Sequence, residues 1–376
     1  MTEFAADGHC ADRFSPVREA FEANFAEGKE LGARFTLVVD GQTVVDLWGG
    51  HMDRARSKVF AVDTLSPIFS STKAVASLMI ARLVEQGRLA YGQTVASVWP
   101  EFAQNGKDAV TIEQLLSHQA GLSGFPEQMD PTLWYDPPAI AAKLAAMAPI
   151  WEPGTASGYH PTTIGYMTGE IFRRVDGRSM GTALREDIAG PLGLDIWLGL
   201  PDSEHERVAD LQRPSALPKF GELNDAVKAA FLTPWATASG KSAADWRRIE
   251  IPSANMHATA EGLARLMSAL AGDGTLGGRA ILSPRGVAEA TRQRIRGQDL
   301  VLPFEISWGA GFMRNEPNFF YGPTDDAFGH SGWGGSCVWA DPQRGVAGAY
   351  VMNKQGADLI GDPRPVRLIE TAYAAL

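Results

Sequence analysis

The chain has 376 residues, of which 45% are hydrophobic and 21% charged, and this composition is that of an ordinary globular protein rather than a disordered or fibrous one. Its 34 basic and 44 acidic residues leave a net charge of −10, which argues against nucleic acid or an anionic membrane surface as the main partner. Two distant cysteines, Cys10 and Cys337, exclude a disulfide framework. The acidic N-terminus does not resemble a signal peptide, and no apolar run approaches ~18 residues, so we expect a cytoplasmic protein.

The first ninety residues carry signals for a helix, a hairpin and a second helix. In Phe14–Glu27 the apolar residues recur every three or four positions, which predicts an amphipathic helix. Two β-rich runs, Arg34–Val39 and Gln42–Trp48, flank the turn Asp40-Gly41 and predict a hairpin. The stretch Ser70–Gly87 contains no proline and reaches glycine only at its end, which predicts a helix.

The middle of the chain is mostly helical in pattern. Loops rich in glycine and proline separate Ala-, Leu- or Ile-rich segments at Ile112–Leu116, Pro138–Met147, Thr163–Arg174, Ala226–Phe231 and Ala260–Leu270. The polar region 202–246 has few apolar runs and remains unassigned.

Strand signals return after residue 300. They lie at Ser307–Met313, Ala327–Gly332, Ser336–Ala340 and Val346–Val351, and a last helix is predicted at Pro363–Leu376. The sequence thus predicts an α/β (α+β) protein in which residues 1–90 and 300–376 build a sheet-containing domain and residues 91–299 form a mainly helical insertion.

Several familiar motifs are absent. None of the seven histidines forms His-Glu-x-x-His or a close pair, so we expect no metal site. No Gly-x-Ser-x-Gly is present, which excludes the nucleophile turn of an α/β-hydrolase. We expect no cofactor.

The tetrapeptide Ser70-Ser71-Thr72-Lys73 has a chemical interpretation. Residues three apart share a helix face, with about 5–6 Å between Cβ atoms, so the Lys73 amine can reach the Ser70 hydroxyl. The helix N-terminus and burial both lower the pKa of the lysine, and a neutral amine could take the serine proton. The alternative is an N-cap serine beside a solvated lysine, but the apolar continuation Ala74–Ile80 favours a buried helix.

With this motif after an N-terminal hairpin, the chain resembles the serine β-lactamase and penicillin-binding superfamily, and most closely its class C-like branch with the family VIII carboxylesterases. The resemblance extends over most of the chain and includes Leu115–Leu122, Trp151–Thr155 with Tyr159, Gly329–Gly335 and Tyr350–Asn353. It implies a β-lactamase/DD-peptidase-like fold, with an antiparallel sheet flanked by helices and the active site between the sheet domain and the helical insertion.

The resemblance also assigns the proton-transfer residues. Ser70 would be the acylated nucleophile and Lys73 its proton partner, while Tyr159 takes the place of the family's Tyr-x-Asn tyrosine. A phenol titrates near ~10, so it would act as a base only beside a cation such as Lys73 and would otherwise protonate the leaving group. A core tyrosine is the alternative.

The segment His330-Ser331-Gly332 falls where β-lactamases carry Lys-Thr-Gly, and it would bind substrate. By the same resemblance, the backbone N–H groups of Ser70 and Trp333 would form the oxyanion hole. A glycine-rich hairpin is the alternative, although it leaves His330 unexplained. We expect His118 to be structural and to hold its loop.

Two departures from the β-lactamase pattern bear on the substrate. The asparagine expected two residues after Tyr159 is Pro161, and the cationic lysine is replaced by His330, which is largely neutral near pH 7. Binding of an anionic antibiotic should therefore be weaker. Aromatic residues that are either core or suited to an apolar acyl or alcohol group crowd the C-terminal part: Phe304, Trp308, Phe312, Phe319, Phe320, Tyr321 and Trp333.

We therefore expect a carboxylesterase that cleaves short-chain esters through an acyl-enzyme and acts as a monomer or small homo-oligomer. A β-lactamase, amidase or D-amino-acid peptidase would use the same site. A penicillin-binding homologue with little turnover, or a non-catalytic scaffold, remains a further alternative.

Overall fold

The computed structural model describes residues 4–214, 216, 218–236 and 241–376. The strands in chain order are β1 (Asp7–Cys10), β2 (Gly32–Val39), β3 (Gln42–Gly50), β4 (Ser66–Pro67), β5 (Ile196–Trp197), β6 (His257–Ala258), β7 (Thr275–Leu276), β8 (Arg279–Ala280), β9 (Ile295–Gln298), β10 (Glu305–Trp308), β11 (Met313–Arg314), β12 (Phe328–Ser331), β13 (Cys337–Asp341) and β14 (Val346–Met352). The α-helices are α1 (Ser15–Ala26), α2 (Thr72–Glu85), α3 (Val95–Val98), α4 (Ile112–Leu116), α5 (Pro137–Ala146), α6 (Thr163–Asp176), α7 (Met180–Leu184), α8 (Gly190–Leu192), α9 (Asp225–Val227), α10 (Ala243–Arg248), α11 (Ala260–Ala271), α12 (Pro284–Thr291) and α13 (Pro363–Ala374).

The two ends of the chain share one antiparallel sheet. Within the described residues its strand order is β1-β3-β2-β14-β13-β12-β11-β10-β9. The predicted hairpin is β2–β3, and its turn residues Asp40 and Gly41 both have positive φ, as a tight hairpin turn requires. Strand β14 pairs with β2, with Tyr350 opposite Phe35, so the last strand in sequence lies beside the first hairpin.

Side-chain alternation divides the core between the two faces of the sheet. On β14, Ala347, Ala349 and Val351 belong to one buried cluster, while Val346, Tyr350 and Met352 belong to the other. The first face is covered by α11, which packs on β14, β13 and β2. On the second face α1 packs against α13.

Helix α2 runs through the first of these clusters. Eleven of its fourteen residues are buried, and it packs against α6 and α12. The helix predicted from Ser70 begins two residues later, at Thr72, because Phe69–Ser71 forms a 3₁₀ turn. Phe69 has a φ of 44°, which an α-helix cannot include.

One strand prediction was wrong. The run Ser307–Met313 is not a single strand but the pair β10–β11, in which Trp308 lies opposite Met313. Gly311, with a φ of 84°, lies in the turn between them, and it supplies a conformation that other residues adopt only at a cost.

The division of the chain at residues 90 and 300 stays a prediction. Two elements from 91–299 nevertheless lie with the sheet, because α11 packs on it and β9 is its edge strand. The unassigned region contains α9 and α10, and residues 215, 217 and 237–240 of that region lie outside the described residues.

Candidate active site

Ser70 lies in the 3₁₀ turn that leads into α2. The residue is half-buried, whereas Ser71 and Thr72 after it are completely buried. The backbone of the preceding residue, Phe69, lies in the left-handed region that non-glycine residues rarely occupy. Strain of this kind persists only where the surrounding structure imposes it, and it is often found at functional sites.

The Lys73 amine is buried and lies 3.0 Å from the Ser70 Oγ. It also donates to the carbonyl oxygens of Pro161 at 2.7 Å and of Ser253 at 2.9 Å. Burial holds the pKa of Lys73 well below its ordinary value. A neutral amine has two N–H bonds and one lone pair, so the two carbonyls take the N–H bonds and the lone pair remains for the Ser70 hydroxyl proton. The alternative of a solvated lysine is wrong, because only 4% of Lys73 is exposed.

Tyr159 lies beside this pair. The Lys73 Nζ is 4.8 Å from the centre of its ring, and the tyrosine is buried. Burial raises the pKa of the phenol above its ordinary value, and the nearby Asp299 carboxylate acts in the same direction, while the Ser70 hydroxyl opposes the rise. The phenol therefore keeps its proton at neutral pH.

Asp299 holds the backbone of Tyr159, and sequence reasoning missed it. Its Oδ1 accepts hydrogen bonds from the backbone N–H groups of Tyr159 at 2.9 Å, Val301 at 2.9 Å and Leu302 at 3.0 Å. Its Oδ2 accepts a weak bond from the Trp308 indole at 3.4 Å. The surrounding sequence, Gln298-Asp299-Leu300, contains no motif that could have signalled this role.

His118 also contacts the loop that contains Tyr159. Its carbonyl accepts from the Gly158 N–H at 2.9 Å, and its Nδ1 accepts from the His160 N–H at 3.1 Å. Its ring lies 5.0 Å from that of Tyr159. These contacts place His118 in the structural role that we expected.

The end of β12 is fastened to the turn that carries Ser70. The Ser336 hydroxyl donates to the Ile68 carbonyl at 2.7 Å, and the Ser71 hydroxyl lies 3.3 Å from the His330 carbonyl oxygen. A Cβ on Gly332 would lie 2.3 Å from the Ile68 oxygen and 2.1 Å from the Ser336 Oγ, so only glycine fits there.

This contact brings the segment of Trp333 to the turn of Ser70. Among the described residues, the backbone N–H groups of Ser70 and Trp333 donate to no acceptor, whereas those of Gly332, Gly334 and Gly335 do. Two free amide donors beside a nucleophile are the arrangement that an oxyanion hole needs.

The side chains of His330 and Ser331, the two residues before Gly332, are buried. The His330 ring is completely buried, about as far from Tyr159 as from Trp308, with both pairs of ring centres 6.0 Å apart. Burial lowers the pKa of His330 to about 3, and a positive charge on Lys73 would act in the same direction. The Ser331 hydroxyl faces Tyr321, with 3.3 Å between the two oxygens. The side chains of His330 and Ser331 are thus buried, and it is the backbone of His330 and Gly332 that lies against the Ser70 turn.

The aromatic residues of the C-terminal part fall into two groups. Trp308, Phe312 and Tyr321 are core residues, while the others, Phe304, Phe319, Phe320 and Trp333, are partly or largely exposed. Within the ranges that the structure describes, no three His, Cys, Asp or Glu side chains are grouped to hold a metal ion, and no helix is long and apolar enough to cross a bilayer.

Comparison with known proteins agrees with this fold and site. The sequence model of the beta-lactamase family matches residues 17–371, and the chain belongs to that family. It is a serine hydrolase with the β-lactamase/penicillin-binding-protein fold, as the resemblance implied.

Individual relatives cover nearly the whole chain. It is 33% identical to the esterase/beta-lactamase LipL of Mycobacterium tuberculosis over 368 residues, which cover 94% of this chain and 84% of LipL. A penicillin-binding protein homologue from Caulobacter crescentus has 69% identity and a TM-score of 0.98, with 99% of this chain and 100% of that one covered. A family VIII carboxylesterase has 43% identity and a TM-score of 0.93 at the same coverage, 99% and 100%.

Proposed function

We propose that the protein hydrolyses short-chain carboxylic esters through an acyl-enzyme on Ser70. The observation that carries the proposal is the 3.0 Å approach of the buried Lys73 amine to the Ser70 Oγ, together with the lowered pKa of that amine. A neutral amine can take the hydroxyl proton as the oxygen attacks the ester carbonyl.

The remaining groups serve the later parts of the reaction. The Ser70 and Trp333 amides stabilise the oxyanion, a contribution of roughly 3–4 kcal/mol for one such donor. The neutral Tyr159 phenol donates a proton to the departing alkoxide and regains one from the protonated Lys73. Water then attacks the acyl-enzyme, with the same groups acting in reverse, and the acid is released.

The ester preference rests on what replaces the β-lactamase groups. The residue in place of the Tyr-x-Asn asparagine is Pro161, whose carbonyl accepts from Lys73 and which has no side-chain amide for a substrate. The residue in place of the Lys-Thr-Gly lysine is a buried, neutral His330. Neither offers a charge to the carboxylate of a β-lactam, and the similarity to a family VIII carboxylesterase supports the same preference.

The test compares p-nitrophenyl butyrate with nitrocefin on wild type, Ser70→Ala and the control Ser97→Ala, which changes an exposed serine on α3. We expect a much higher kcat/KM on the ester, activity lost in Ser70→Ala and activity retained in Ser97→Ala. Faster turnover of nitrocefin would favour the β-lactamase, amidase or D-amino-acid peptidase alternative.

A second measurement addresses the two alternatives with little or no turnover, a slowly acylated penicillin-binding homologue and a non-catalytic scaffold. The similarity to a penicillin-binding protein homologue favours the first of them. A fluorophosphonate should form a single adduct on Ser70, detected by mass spectrometry. An adduct without ester turnover would indicate a penicillin-binding homologue with little turnover, and no adduct would indicate a scaffold. The cytoplasmic location and the monomeric or small homo-oligomeric state stay predictions.

A further inference from the structure

A cavity of about 770 Å³ lies next to the site described above. One wall is the segment between β5 and α9 that contains Asp210 and Arg213, and the opposite wall is Lys354–Ala357, which follows β14. Arg54, from the loop after β3, completes the rim. None of these residues has a role in the proposed acyl transfer.

Hydrogen bonds connect the floor of this cavity to the oxyanion segment. The Gln355 side-chain amide donates to the Trp333 carbonyl at 3.1 Å, and the Gly356 N–H donates to the Gly334 carbonyl at 2.9 Å. The Gln355 N–H donates to the Gln212 carbonyl at 2.9 Å, which ties the two walls together. A group bound in the cavity would therefore lie beside the peptide that carries the Trp333 amide.

The rim of the cavity is positively charged. It carries Arg54 and Arg213 against one carboxylate, Asp210, in a chain whose net charge is −10, while the Lys354 amine is hydrogen-bonded to the Gly28 carbonyl. Arg54 and Arg213 are exposed, and within the described residues neither forms an ion pair. Arginines such as these can bind a carboxylate through two parallel hydrogen bonds.

Gln355 forms the wall between the cavity and Trp333. The residue is only 4% exposed, and its Oε1 has no hydrogen-bond partner among the residues that the structure describes. The Nε2 donates to the Trp333 carbonyl, and this bond distinguishes the nitrogen of the side-chain amide from its oxygen. The Oε1 is an acceptor that solvent does not reach, so a carboxylate in the cavity has to be bound by the arginines of the rim and not by this wall.

We infer that the cavity is a subsite for a carboxylate and that the preferred esters carry one on their acyl or alcohol part. This inference rests on the proposed esterase function and narrows its substrate class. The charge that the buried His330 cannot supply would come instead from Arg54 and Arg213, on the loops beyond Trp333.

The first experiment compares matched anionic and neutral esters. Monoethyl adipate and ethyl hexanoate differ by a carboxylate on the acyl part, and carboxymethyl hexanoate places the carboxylate on the alcohol part. We expect wild type to favour one anionic ester, and Arg54→Gln and Arg213→Gln each to lower the anionic-to-neutral ratio of kcat/KM about fivefold, the effect of a partly exposed ion pair. Added salt should lower the same ratio.

The control is Arg285→Gln, an exposed arginine at the start of α12, which should leave the ratio unchanged. An equal ratio in wild type and in the double variant of Arg54 and Arg213 would overturn the inference, while hydrolysis of ethyl hexanoate would leave the esterase proposal intact. If no ester is hydrolysed, the proposed function fails. Calorimetric titration with adipate then decides the subsite alone: binding that the double variant loses supports it, and absent or unchanged binding overturns it.

Discussion

At Lys73, the surroundings of one amine decide its chemistry. Two backbone carbonyls lie at 2.7 and 2.9 Å from the Nζ, and among the described residues no carboxylate forms an ion pair with it. Backbone carbonyls accept hydrogen bonds from an amine in either protonation state, but they do not repay the cost of burying a charge. The Ser-x-x-Lys spacing predicted the contact with Ser70. The carbonyls of Pro161 and Ser253 were not predictable, because a backbone group carries no signal in the residue type.

Replacing Tyr159 with phenylalanine tests the proton that the phenol donates. For ethyl butyrate, whose ethoxide must be protonated to leave, we expect Tyr159→Phe to lower kcat by roughly 10²–10⁴-fold. For p-nitrophenyl butyrate the loss should be much smaller, because p-nitrophenolate departs without a proton. Tyr135→Phe, outside the site, is the matched control. Equal losses on the two esters would contradict the acid role and leave Tyr159 with a purely structural one.

Among the secondary-structure elements, the contact between β12 and the turn before α2 matters most for the site. Neither element alone would form the proposed oxyanion hole, since one amide belongs to Ser70 and the other to Trp333. Gly332 permits the approach, because any side chain there would collide with the Ile68 carbonyl. The resemblance placed Trp333 in this role, but the hydrogen bonds of Ser71 and Ser336 that hold the two elements together emerge only from the structure.

We therefore expect Gly332→Ala to separate these two elements. The added Cβ, 2.3 Å from the Ile68 oxygen, must displace the Trp333 amide, and kcat should fall by about 10²–10³-fold, the cost of losing one oxyanion donor. Gly297→Ala on β9, where a Cβ meets nothing within 4 Å, is the control. We would measure kcat together with the thermal unfolding of each variant, so that a loss of activity is distinguished from a loss of folding. A folded Gly332→Ala enzyme with wild-type kcat would exclude this account of the oxyanion hole.

Over the whole molecule, a buried ionic network joins the two ends of the chain. The Arg364 guanidinium donates to Glu30 at 3.0 Å, to Asp362 at 2.8 Å and to the Gly334 carbonyl at 2.6 Å. Two carboxyl groups thus share one guanidinium. Burial raises the pKa of Glu30 to about 7, since the Arg364 charge only partly offsets it.

This network predicts a pH dependence of stability. Between about pH 4.5 and 7 the folded protein keeps the Glu30 proton while the unfolded chain loses it, so the free energy of unfolding falls as pH rises and then levels off. The fall should be on the order of 3 kcal/mol. Glu30→Gln should remove this part of the slope, as measured by urea unfolding at about pH 5 and about pH 8. Glu19→Gln, exposed on α1, is the control, and an unchanged slope in Glu30→Gln would refute the assignment.

Local patterns in the sequence predicted most elements but not every junction. Helix α4 matches its predicted bounds, and the hairpin β2–β3 follows from its Asp-Gly turn. The prediction of a single strand over Ser307–Met313 was wrong, because a pattern of alternating apolar residues does not reveal a turn formed by glycine. In the polar region 202–246 only Ala226–Phe231 gave a helical pattern, where α9 lies, and the rest gave none because its short helices bury little apolar surface.

By itself the sequence determined the chemistry that depends on short spacing: a serine and a lysine one helical turn apart, a buried helix after them and a sheet drawn from both ends. The tertiary structure alone decided how that chemistry is tuned. The pKa of Lys73, the proton on Tyr159 and the burial of His330 depend on groups far away in the chain, such as Ser253 and Asp299. Desolvation and hydrogen bonding act through space, and residues distant in sequence become neighbours only when the chain has folded.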